Sequence, residues 1–139
     1  MGTLFLNSII YKFTKRYGIL CVCYRKTRIM ICITVPKLLR HFSGCALWPF
    51  ILIKQKDLKS NKVFINHERI HLRQQLELLI LPFYIWYMLE YAYYRTKGYS
   101  KQKAYRSIVF EREAYKFEAD FTYLEKRRFW GFLKSKVYL

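Results

Sequence analysis

Two of the three histidines in this 139-residue chain stand four positions apart, in the pentad His67-Glu68-Arg69-Ile70-His71. On an α-helix residues four apart share one face, so both imidazoles can ligate a single cation, and Zn²⁺ is the ion this spacing suits. Glu68, directly after the first histidine, can hang beside such a metal without ligating it. From there it can act as general base toward a water acidified by the zinc, which is hydrolytic chemistry. The remaining histidine, His41, is isolated and reads as an ordinary surface or loop residue.

A catalytic zinc takes three protein ligands and keeps one position open, so a carboxylate is expected from elsewhere in the chain. The run Phe110-Glu111-Arg112-Glu113-Ala114-Tyr115 is the evident donor. Glu111 has the small Ala114 three positions on, which lets its helix approach the histidine helix closely. Glu113 lies nearer the apolar stripe formed by Phe110, Ala114, Phe117, Phe121 and Leu124, and is the alternative. The expected metal set is therefore His67, His71 and Glu111, with Glu113 in reserve and Glu68 catalytic. Tyr105, Arg106, Arg112 and Tyr115 are chemically able to stabilise an oxyanion.

Those residues need rigid elements. Asn66 can cap a helix starting near His67, whose apolar positions Ile70, Leu72, Leu76, Leu79 and Ile80 keep helical spacing. Pro82 should kink or end it, with an aromatic helical piece continuing to the Thr96-Lys97-Gly98 break. From about Lys101 the apolar stripe predicts one long helix. Upstream, Ala46 to Lys54 reads as a strand confined to an edge by Pro49, and Ile19 to Cys23 and Ile29 to Val35 as short strands or one broken helix. The fold class expected is mainly α with a small β element (α+β), the histidine helix packing against the downstream glutamate helix. Residues 1–41 form a basic amino-terminal segment, and residues 42–139 the domain that carries the site.

Composition narrows the partners. With 26 Lys and Arg against 9 Asp and Glu the net charge is +17, and no acidic residue precedes Asp57. Such a balance favours anionic partners. Nucleic acid is disfavoured, because the aromatics fall in apolar helical stripes rather than among Lys and Arg on strands, and no nucleic-acid motif is present. An anionic membrane surface suits better. The run Leu76 to Tyr94 is rich in Tyr and Trp, interfacial residue types, and predicts a helix packed in a core or lying on a membrane rather than spanning it. Cys21, Cys23, Cys32 and Cys45 match no zinc-knuckle or disulfide spacing and read as small core thiols of a reducing compartment. The opening residues are apolar before they are basic, the reverse of a secretory signal, and Leu6 excludes a myristoylation motif. A cytoplasmic or membrane-associated location follows as the expectation. The alternative to a peptidase is a basic module binding a membrane surface, with a non-catalytic zinc or none.

The pentad His67 to His71 followed by Phe110-Glu111-Arg112-Glu113-Ala114 resembles the gluzincin branch of zinc metallopeptidases, in which a Glu-x-x-Ala-Asp helix supplies the third ligand. It is also similar to small bacterial proteins that join an H-E-R-I-H helix, an aromatic helix and an F-E-R-E-A-Y helix, a likeness covering residues 46 to 139. The resemblance implies a zincin-like fold, His67, His71 and Glu111 as zinc ligands, Glu68 as general base, and a peptide or protein substrate. Strand-like Ala46 to Lys54 or Val63 to Ile65 could hold such a substrate by pairing with an extended peptide. One departure stands out: Tyr115 occupies the place of the family's Asp, which holds a zinc-ligating histidine through its second nitrogen.

Overall fold

The computed structural model describes residues 20–25, 28–35, 39 and 43–137, so His41 and most of the basic segment before it lie outside the described residues. The chain divides into two compact units, Met1–Ser60 and Asn61–Leu139. The expected boundary at residue 41 falls inside the first unit, because strands on either side of it share one sheet.

That sheet has four strands, β1 (Leu20–Arg25), β2 (Arg28–Thr34), β3 (Gly44–Leu47) and β4 (Phe50–Ile53), in the order β1-β2-β4-β3. β1 pairs antiparallel with β2, β2 parallel with β4, and β4 antiparallel with β3. Cys32 and Ala46 both stand opposite Ile51 in register, and all three are buried, so one row of small and branched side chains crosses the sheet. The segment Ala46 to Lys54, expected as one edge strand, is instead the hairpin of β3 and β4. Pro49 follows a cis bond in the connecting turn, where its missing N–H removes no ladder hydrogen bond, and β4 lies inside the sheet. The two cysteine-bearing runs upstream are the strands β1 and β2, not a broken helix.

The second unit is helical: α1 (Lys62–Leu78), α2 (Ile80–Thr96), α3 (Lys101–Ser107), α4 (Val109–Phe117) and the single turn α5 (Tyr123–Lys126), followed by a 3₁₀ segment, Gly131–Val137. α1 begins five residues before its expected start. Its N-cap is Asn61, whose side chain accepts a hydrogen bond from Phe64 N at 3.0 Å. Val63 to Ile65, read as strand-like, are its first turn, so no edge strand exists there to take a substrate.

Proline geometry explains the next break. In a continuous helix the Pro82 ring would meet the carbonyl of Leu78, four residues back, and Leu78 is where α1 stops. Leu79 turns the chain with φ 65°, and Pro82 then sits in the first turn of α2, where an absent N–H costs nothing. Gly98, at φ 81°, closes the other end of α2 in a conformation that suits glycine alone.

The long helix expected from Lys101 is broken at Ile108, whose backbone is extended (φ −58°, ψ 133°). Glu90 of α2 makes that break favourable: its Oε2 accepts the Val109 N–H at 2.7 Å, capping the start of α4. The stripe is thereby cut, with Phe110 and Ala114 fully buried and Phe121 exposed. The core gathers Phe83, Ile108, Val109, Phe110 and Phe132, with Leu78, Tyr84, Trp86, Tyr87 and Tyr91 packed on it. α4 packs against both α1 and the 3₁₀ segment, which is why both faces of so short a helix are buried.

Candidate metal centre

α1 places His67 and His71 on the side it turns toward α4, and both imidazoles are buried. Their Nε2 atoms lie 3.1 Å apart. Glu111, in the first turn of α4, enters between them, with Oε2 at 3.3 Å from His67 Nε2 and Oε1 at 3.3 Å from His71 Nε2. Two nitrogens and a carboxylate thus converge from two helices, 40 residues apart in sequence (111 − 71).

The outer nitrogens decide what the inner ones present. Gln74 Nε2 donates to Phe110 O at 3.1 Å and to Glu113 Oε2 at 2.7 Å, which turns its Oε1 to accept from His71 Nδ1 at 2.8 Å. His67 Nδ1 donates to Glu118 Oε2 at 2.9 Å. With both Nδ1 atoms occupied as donors, the network assigns the Nε2 lone pairs inward, toward each other and toward a carboxylate. Such an arrangement is repulsive unless a cation lies among the three groups.

A proton relieves part of that repulsion. Burial alone lowers the proton affinity of His71, but the facing Glu111 carboxylate, with a smaller push from Glu68, outweighs it and raises the pKa to about 9. For Glu111 burial works upward, and His71 and His67 overcome it, holding the carboxyl well below the ordinary carboxylate range. A divalent metal fits the same place. Donors bound tetrahedrally at about 2.0–2.1 Å are spaced about 3.3 Å from one another, which is the spacing His67, His71 and Glu111 already hold. Glu111 Oε2 is also a buried oxygen that no hydrogen bond satisfies.

Around these groups the aromatic helix reaches the cluster directly. Tyr87 donates to Glu111 Oε1 at 2.8 Å. Tyr87 and Tyr105 are both driven far above the ordinary phenol range, first by burial and then by the Glu111 charge, so both remain hydrogen-bond donors. The Tyr115 ring stands edge-on to His67 with centroids 4.7 Å apart, and the Arg106 guanidinium lies over the Tyr115 ring at 5.0 Å. Of the four possible oxyanion donors, Tyr105 and Tyr115 thus border the cluster, while Arg112 acts on Tyr94. Glu68 is buried on α1 and its charge is felt at His71.

Glu113 goes elsewhere. Arg127 grips both its oxygens, Nε to Oε1 at 2.7 Å and Nη2 to Oε2 at 3.0 Å, and Tyr123 and Gln74 donate to it as well. The same guanidinium reaches Glu77 through Nη1. Gly131 closes over this pair, since a Cβ there would stand 2.8 Å from Glu113 Oε1. The two glutamates of one short helix therefore have separate partners, Glu111 the histidines and Glu113 an arginine.

Three contributors escaped the sequence reading. Gln74 lies one turn beyond His71 on the same helix face, and Glu118 lies seven residues beyond Glu111, two turns along α4, so helical spacing was a usable signal for both. Tyr87 had none, being placed by tertiary packing of α2. Asn66, expected as an N-cap, instead donates from mid-helix to the carbonyls of Phe117, Glu118 and Asp120 at 3.4, 3.0 and 3.1 Å. It thereby binds the end of α4 to α1 and brings Glu118 to His67.

A mainly helical unit with a buried His-His-Glu cluster able to hold a metal ion is the class that fold and site define. Comparison of the chain with protein-family models, with curated proteins and with solved structures finds no match.

Proposed function

We propose that this protein is a zinc-dependent peptidase of zincin-like arrangement, with His67 Nε2, His71 Nε2 and Glu111 as the metal ligands. The observation that carries the reading is the convergence of His67 Nε2, His71 Nε2 and the Glu111 carboxylate, with each imidazole fixed from behind through Nδ1 by an acceptor. Zn²⁺ bound there supplies Lewis acidity, acidifying a water and polarising a peptide carbonyl. Glu68, next to His67 on α1, takes the proton of the attacking water and passes it to the leaving amine. Glu118 fills the role left open by Tyr115, since its carboxylate holds His67 through Nδ1 as the family's Asp would. Tyr105 and Tyr115, kept protonated by burial, are the donors available to a developing oxyanion.

Two measurements test this. Metal analysis of the purified protein should find stoichiometric zinc that is lost in His67→Ala, and absence of metal from the wild type would overturn the proposal. Glu68→Gln should retain the metal while lowering peptide hydrolysis by about 10²–10⁴-fold. Zinc in both proteins with hydrolysis in neither would leave a non-catalytic metal site.

A further inference from the structure

α2 has two apolar faces and only one of them is used. Phe83, Tyr84, Trp86, Tyr87 and Tyr91 pack on the core. On the opposite side Leu81, Ile85, Met88, Leu89 and Tyr93 follow one another at helical spacing, and each is more than half exposed. The lone acidic residue of the helix, Glu90, is turned inward to cap Val109 and leaves the outer face without negative charge.

Both ends of the stripe are basic and aromatic. At the carboxyl end Lys97 lies over the Tyr93 ring at 5.5 Å, with Arg95, Lys101 and Lys103 exposed nearby in sequence. At the amino end the Trp130 N–H donates to Glu77 Oε2 at 3.2 Å, which brings exposed Phe129, Trp130 and Arg128 beside the α1–α2 junction and its exposed Leu76 and Leu79.

We propose that this face is a docking surface for an anionic lipid bilayer, with α2 lying in the plane of the interface. The inference is independent of the metal centre. An uncharged apolar stripe on a helix about 25 Å long, with Tyr, Trp, Lys and Arg at its ends, matches an acyl boundary flanked by headgroups. The charge selects the occupant. A lipid surface of opposite sign is attracted by a net +17, whereas a second copy of the chain is repelled by it. Spanning is not the mode: α2 has 17 residues and one face committed to the core, and no helix among the described residues is long and apolar enough to cross a membrane.

The test is co-sedimentation of the full chain with vesicles of phosphatidylcholine alone and of phosphatidylcholine containing roughly 30 % phosphatidylglycerol. The protein should pellet with the anionic vesicles and less so as salt rises. The double variant Met88→Glu, Leu89→Glu should bind them about tenfold more weakly, because two charges then stand where acyl chains would. Both positions are exposed, and an unchanged circular dichroism spectrum and melting temperature exclude a folding defect. Wild-type binding by the double variant would overturn the proposal, as would indifference to lipid charge. So would a lipid-free dimer that the double variant dissociates, which would assign the face to self-association.

Discussion

Glu111 and Glu113 are two residues apart on one short helix, both buried, and physically they do opposite things. Glu111 keeps an unsatisfied oxygen toward two imidazoles, whereas every lone-pair direction of Glu113 is taken by Arg127, Tyr123 or Gln74. Under the proposed function, Glu111→Ala should weaken zinc affinity far more than Glu113→Ala, measured by competition with a chelator; the reverse ranking would transfer the ligand to Glu113. Glu118 offers a subtler readout. Glu118→Ala removes the acceptor that fixes the His67 tautomer and should cost about 10–100-fold in metal affinity, with Glu118→Gln recovering part of it because the amide oxygen still accepts. Equal affinity in all three proteins would make Glu118 a bystander.

At the scale of elements, α1, α4 and the chain that follows are held by one buried ionic knot. Arg127 bridges Glu113 of α4 and Glu77 of α1 with a guanidinium that has no solvent exposure, and Gly131 closes on it. Replacing Arg127 with Ala would leave the buried Glu113 carboxylate without its cation and Glu77 with Arg73 alone, so a loss of about 3–5 kcal/mol in urea unfolding is expected. A cost near that of an exposed ion pair would show that water reaches the knot. Helix boundaries follow the same local logic. Pro82 forbids continuation past Leu78 and was readable in advance, but the break at Ile108 was not, because the group that caps it, Glu90, comes from another helix.

For the whole molecule, under the proposed function, the cluster would couple metal, protons and stability. In the metal-free chain His71 binds its proton more tightly folded than unfolded, with a pKa raised to about 9. That contribution is therefore complete below about pH 6.5 and disappears as pH rises through about 9. Glu111 is displaced in the other direction, so its contribution is present above the ordinary carboxylate range and is lost on acidification. Thermal melts of the metal-free protein should thus fall between pH 7 and pH 9.5, while zinc affinity rises over the same interval because the ion no longer competes with that proton. A melting temperature that rises with alkalinity would contradict the pairing of His71 with Glu111.

What the sequence determined by itself is what depends on near neighbours. Two histidines four apart fix a shared helix face, proline excludes a helix from the turn before it, and a chain of +17 with apolar helical stripes must both fold and attract anions. Even there the expected start of α1 lies too late, since Asn61 and Asn66 are equally good caps in isolation and only packing against the end of α4 turns the Asn66 amide to donate to carbonyls instead of accepting a helix N–H. Tertiary structure alone decided the rest. The helical wheel favoured Glu113 because it assumed one continuous stripe from Phe110 to Leu124. Once α4 is a short helix enclosed on both sides, burial no longer distinguishes the two glutamates, and the partner each meets does. The same holds for Tyr87, whose role comes from a group 24 residues away in sequence, beyond the reach of any local periodicity.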